Sequence, residues 1–211
     1  MAVTERTYHH GDLNHTLRMS AADLIAERGA GSFSLREVAR RAGVSHAAPA
    51  HHFGDVTGLL TAVATDAFTH LHARTSAAWE TTRGDVIDRL AAVGRAYVEL
   101  AVANPGHCAV IFRHDLIDSD DPAYLVQADK AYAVLNDALV AVAEEINPEL
   151  DIDLAAATCW SAMQGLIELD SLMQKRVFDQ GADGPTTEHS IGDRAEQITR
   201  TLVAGFHPNR A

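Results

Sequence analysis

Apolar residues recur every three to four positions along most of the chain, the spacing that lines one face of an α-helix, and sustained period-two alternation is absent. A first helix is predicted over residues 13–28, capped by Asp12 and stopped by Gly29, with Leu17, Ala21, Leu24 and Ile25 on one face. Ser34 and Glu37 stand at capping-box spacing, and Phe33 and Val38 sit where a hydrophobic staple would close, so a second helix opens at Ser34 and ends at Gly43. A third is expected from Ser45 to His52. Asp55 then caps a long helix towards Trp79, and further helices are expected over residues 85–103, 106–114, 121–146, 150–177 and 190–206. Between the last two, DQGADGPTTEH reads as a polar, glycine-rich connecting loop. The fold class is therefore all-α.

The second and third helices are short and separated by Ala42-Gly43-Val44, with a packed helix before them. That is the arrangement of a helix-turn-helix. Gly43 permits the sharp turn, Ala39 allows close helix approach, and Val38 and Val44 supply shared core. The third helix can then present its outer face to a DNA major groove while the second lies across the backbone. Ser34 and Ser45, with the free N–H groups of two helix starts, suit phosphate oxygens. Pro49 lacks the N–H of a first intrahelical bond, so a tight, 3₁₀-like start to the third helix is expected. On spacing alone, a plain helical hairpin in a larger bundle is an equal reading. The expected domains are a helix-turn-helix unit over residues 1–57 and a helical ligand-binding and dimerisation unit over residues 58–211.

Charge changes the picture. The formal net charge of -12 counts against a DNA-binding protein, because phosphate contacts carry much of that affinity. The deficit, however, lies beyond residue 60. Residues 1–60 hold six arginines (Arg6, Arg18, Arg28, Arg36, Arg40, Arg41), six acids and six of the twelve histidines. Two separated cysteines, Cys108 and Cys159, read as free buried thiols. The opening MAVTERTYHHGDL has no apolar run of the kind a secretion signal needs, and no membrane span is expected, so a cytoplasmic location is expected. The pairs His9-His10 and His51-His52, and His107-Cys108 with His114, lack repeated metal-ligand spacing. No metal, cofactor or enzymatic motif is expected.

Residues 8–68 resemble the N-terminal domain of the TetR/AcrR-type regulator family over its full length. The marks are YHHGDL, SLREVARRAGVS, the AAP before a His-Phe pair, and Leu59-Leu60 after the cap. Tyr97-Val98, Asn104-Pro105 and Ile111-Phe112-Arg113 resemble the family's fifth and sixth helices, and WSAMQGL at residues 160–166 resembles a Trp-x-x-x-His-Gly pattern of one branch. The resemblance implies a homodimeric, ligand-responsive transcriptional regulator, expected to be a repressor released from a pseudo-palindromic operator by a small molecule. The DNA-contacting candidates are Ser34, Arg36, Ser45, His46, Ala47, Pro49, Ala50, His51 and His52. Tyr97, Phe112, Tyr132, Trp160, Met163 and Gln164 are ligand-binding candidates, each equally readable as core. Leu166, Leu169, Leu172, Ile198 and Leu202 are interface candidates, since the helix over residues 150–177 is apolar on more than one face.

This chain departs from the family pattern at several phosphate contacts. Ala50 stands where a tyrosine is usual, Val56 and Asn14 where basic residues are usual, and Gln164 where histidine is usual. His46, His51 and His52 are candidates to substitute. The rival reading is a helical dimer of this kind that has lost operator binding and serves as a small-molecule or protein-binding module. The missing contacts favour it; the capping box and turn oppose it.

Overall fold

In the computed structural model, residues 10–180 and 190–206 are described, with side chains over 13–173 and 190–206. The connecting segment that the composition marks as a loop falls mostly outside them. The described residues form helices and turns only. In chain order the helices are α1 (His10–Arg28), α2 (Leu35–Ala42), α3 (Ala48–Phe53), α4 (Val56–Thr81), α5 (Val86–Ala103), α6 (Pro105–Cys108), α7 (Pro122–Glu145), α8 (Ile152–Gln180) and α9 (Ile191–Gly205). None is long and apolar enough to cross a membrane.

Local chemistry explains most boundaries. Gly29 stops α1 in the left-handed region at φ 85°, where glycine meets no side-chain penalty. Asp55 Oδ1 accepts the Gly58 N–H at 2.9 Å at the start of α4. Asp85 and Asp88 cap α5 reciprocally. Asp121 Oδ1 takes the N–H groups of Ala123 and Tyr124 ahead of α7. Ser190 and Asp193 form a capping box for α9. The sixth helix is shorter than its pattern suggests: after Cys108 the chain proceeds in turns rather than helix to His114.

The chain divides into two compact units, and the division differs from the 57/58 boundary that helix punctuation suggests. The first ends at Phe68 and also takes Asn104–Val126; the second takes Thr69–Ala103 and the described residues from Gln127 on. The physical reason lies in α4 and α6. Leu59, Leu60, Val63, Ala64, Ala67 and Phe68 of α4 are buried, so the first half of that helix is core of the first unit. Helix α6 packs on α1 so closely that a Cβ on Gly106 would stand 1.9 Å from the Ala22 carbonyl oxygen. Thr61 Oγ1 accepts the Asp118 N–H at 2.8 Å, and Arg18 pairs with Asp66 at 2.6 Å.

The second unit packs α5 against α8 and α9. One cluster gathers Val86, Leu90, Leu139, Val142, Cys159 and Val203, with Leu202 packed against it. Another gathers Val98, Met163, Leu166 and Ala195, with Tyr97 and Ile198 against it. Three interface candidates are engaged within their own chain: Leu166 is 8% exposed, and the half-buried Ile198 and Leu202 pack against these same clusters. The face of α8 left open carries Leu154, Leu169, Leu172 and Met173, at 65%, 57%, 56% and 50% exposure.

Candidate functional site

The reading head is built on α2. The Ser34 hydroxyl accepts the Glu37 N–H while the Glu37 carboxylate takes the Ser34 N–H at 2.9 Å. Two orphan donors of the helix start are thus satisfied. Ser34 hydrogen bonds, with Arg28 at 2.8 Å, hold the Glu37 carboxyl below its ordinary range. At the other end Gly43 adopts φ 69° and ψ 33°, and the Val44 N–H reaches back to the Ala39 carbonyl at 3.0 Å. This left-handed cap closes α2 and redirects the chain into α3. Val38 and Ala39 are fully buried beneath the turn.

Helix α3 begins three residues later than Ser45. Ser45 and Ala48 close a turn, Ala47 is the residue before the helix, and no side chain caps it. Ser45 is therefore a turn residue rather than a helix cap. The later start removes the proline difficulty: Pro49 falls in the first turn, where a missing N–H forfeits no intrahelical bond. Ser34, Arg36, Ser45, His46, Ala47, Ala50 and His51 are exposed, and His52 is half-buried. Pro49 is the exception among these candidates, being buried on the inner side. The His51 and His52 rings meet edge to face at 5.6 Å.

Ion pairing reduces the positive charge of this segment further. Arg18 is paired with Asp66, Arg28 with Glu37 and Arg41 with Glu27. Among the described arginines up to residue 60, Arg36 and Arg40 remain outside these pairs, and both are exposed. They stand four apart on α2, hence on one face. Permanent positive charge thus sits on α2, while α3 carries histidine alone.

A cavity of about 40 Å³ lies within the second unit. Tyr97, Trp160 and Met163 of the sequence candidates line it. The Tyr97 hydroxyl donates to Gln164 Oε1 at 2.9 Å, and the Tyr132 ring stacks on Trp160 at 4.6 Å. Gln164 and Tyr132 therefore support the wall rather than form it. Phe112 does not line this cavity: it belongs to the first compact unit and is 39% exposed. Sequence reading missed Leu71, Thr75, Gly94, Cys159 and Thr199 of the wall. Thr75 and Thr199 carry no signal in a helical pattern, because a threonine bonding its own helix backbone is ordinary. Burial raises the Cys159 thiol to about 11, so it stays protonated.

The family model described as "Bacterial regulatory proteins, tetR family" matches residues 18–63, which hold the whole reading head. "Tetracyclin repressor-like, C-terminal domain" matches residues 90–183. The two lie in order and together span most of the chain. No curated protein matches in sequence. Among solved structures, the TetR family transcriptional regulator PfmR from Thermus thermophilus is 20% identical, with TM-score 0.68, over 91% of this chain and 99% of that one. The ketosteroid transcriptional regulator KstR2 of Mycobacterium tuberculosis is 19% identical, with TM-score 0.65, over 99% and 98%. The fatty acid degradation regulator FadR from Bacillus halodurans is 15% identical, with TM-score 0.70, over 95% and 100%. At these identities the likeness is one of fold.

Proposed function

The chain belongs to the TetR family of bacterial regulatory proteins, and from that premise we propose that this ligand-responsive, DNA-binding regulator is a homodimeric repressor released from its operator by a small molecule. One observation carries the reading: the Gly43 turn joins a capped α2 to α3, and Ser45, His46 and Ala47 ahead of that helix, with Ala50 and His51 on it, are all exposed. In this proposal α3 enters the major groove, and Arg36 and Arg40 of α2 meet the phosphate backbone. Two copies related by a two-fold axis bind a pseudo-palindrome, because the symmetry of the dimer is imposed on the operator. The exposed α8 leucines, Leu154, Leu169 and Leu172, are the proposed dimer face.

The proposed effector site is the second unit's cavity. Leu71 and Thr75 line it, and both belong to α4, whose first half is core of the reading-head unit. A ligand favouring the conformation in which two recognition helices are wrongly spaced shifts the population off DNA by its differential affinity. In-vitro selection from random duplex DNA tests the reading. Enrichment of one pseudo-palindrome is the expected outcome; a pool that stays random with folded protein would sink it.

A further inference from the structure

Among the described residues that line the cavity there is no Asp, Glu, Lys, Arg or His. A buried carboxylate or ammonium ligand would find no opposite charge there, and burying a charge unpaired is strongly unfavourable. Two threonines line this space, and both hydroxyls have given their hydrogens away. Thr75 Oγ1 donates to the Leu71 carbonyl at 2.8 Å, and Thr199 Oγ1 donates to the Ala195 carbonyl at 2.9 Å. What their oxygens offer a ligand is lone pairs. The Tyr97 hydrogen is likewise committed, to Gln164.

Shape narrows the class further. At about 40 Å³ the cavity lies far below the usual size of ligand pockets, roughly 300–1,000 Å³, and below the roughly 150 Å³ that holds a benzene ring, so a ligand must push the wall apart and a single ring demands least of it. Tyr97 and Trp160 stand 5.3 Å apart between ring centres, with Tyr132 stacked behind Trp160, so one wall is aromatic. Gly94 marks the tightest point, since a Cβ there would meet Thr199 Oγ1 at 2.7 Å and Met163 Sδ at 3.3 Å. Met163, unbranched and flexible, is the side chain best able to shift aside.

We propose that the effector is a compact, uncharged, single-ring compound bearing a hydrogen-bond donor, a phenol or a cyclic alcohol, whose hydroxyl donates to Thr75 or Thr199. The ring lies against Trp160 and Tyr97, and a matching hydrocarbon without the donor would leave the threonine oxygens buried and dry. This rests on the reading of the cavity as the effector site.

Three probes of one shape test it on the full chain, followed by tryptophan fluorescence and titration calorimetry near pH 7: 4-ethylphenol, ethylbenzene and 4-ethylbenzoate. The phenol should bind about tenfold tighter than ethylbenzene, the scale of one buried hydrogen bond, and the benzoate, ionised at that pH, should not bind measurably. Thr75→Val/Thr199→Val preserves shape and removes both acceptors, so it should bring the phenol down to ethylbenzene. Gly94→Ala should weaken both neutral probes by crowding the cavity. Benzoate binding as tightly as phenol, ethylbenzene equalling phenol, no binding by any probe, or a phenol affinity indifferent to all these substitutions would each overturn the proposal. Operator affinity measured with the phenol present separates the two readings. Phenol binding that leaves DNA affinity unchanged keeps the ligand class and overturns release by this cavity.

Discussion

Gly43 holds a left-handed backbone with open space where a Cβ would stand, so a substitution there meets conformational strain and no clash. Gly43→Val should therefore cost about 1–2 kcal/mol of stability, the penalty of the left-handed region. Operator binding should fall further, by roughly a hundredfold or more, because α3 would be misdirected by a turn that relaxes. Urea unfolding beside fluorescence anisotropy on the selected operator measures both, and unchanged binding by a folded variant would refute the turn's role. Histidine carries the second residue-scale prediction. With His46 just ahead of α3, His51 and His52 on it, and no permanent cation among them, phosphate contact should favour the protonated form of these side chains. Binding then takes up protons and tightens as pH falls. The dependence of affinity on salt should be shallow near pH 8 and steeper near pH 6, because charged histidines displace more counterions. His51→Gln/His52→Gln should flatten that change; a wild-type salt slope independent of pH would make the histidines bystanders.

Helix ends set the next scale. Ser34→Ala removes the cap of α2 and should cost about 1 kcal/mol in thermal or urea unfolding. The pH dependence of this cost has a definite sign. Glu37 is held below its ordinary carboxyl range first by the Ser34 hydroxyl, then by the Ser34 N–H and Arg28. A depressed carboxyl contributes stability above its unfolded value and loses it as pH falls through the folded one. The difference between wild type and Ser34→Ala should therefore be full near neutrality and shrink in acid. If the gap widens in acid, the carboxylate is not the partner that matters. Gly106 shows the same scale from the packing side: α6 lies against the α1 backbone at Ala22, leaving no room for a methyl group. Nothing in the sequence pattern around Asn104-Pro105-Gly106 announces that approach.

For the whole molecule, the question is which apolar surface needs a second chain. Leu166 is committed to its own core with Val98, Met163 and Ala195, whereas Leu169 and Leu172 stand more than half exposed on α8. Leu169→Glu/Leu172→Glu should yield a folded monomer with little operator affinity, seen by sedimentation velocity at micromolar concentration. Leu166→Glu should instead destabilise the chain itself, because it buries an unpaired charge. A folded dimer surviving the first pair would move the interface elsewhere.

The chain's sequence by itself determines an all-helical fold and most helix boundaries, because capping residues, glycine stops and apolar periodicity act over a few residues. Ser34 with Glu37, Gly43, and Asp121 ahead of Pro122 are local devices whose partners lie within one turn of helix. The exposed reading face at His46 and His51 follows from the same short-range logic. Tertiary structure alone decides the rest. Helical periodicity marks α8 as apolar on more than one face, but only the packing of α5 and α9 assigns Leu166 inward and Leu169 outward. Likewise Tyr97, Trp160 and Met163 meet Thr75 and Thr199 around one cavity while Phe112 does not, since residues far apart in sequence converge there. The start of α3 depends on the turn that closes at Ser45 and Ala48, which places Pro49 where its missing hydrogen bond costs nothing. Which apolar residue faces a neighbouring helix, a ligand or solvent is set by long-range packing, and periodicity carries no record of it.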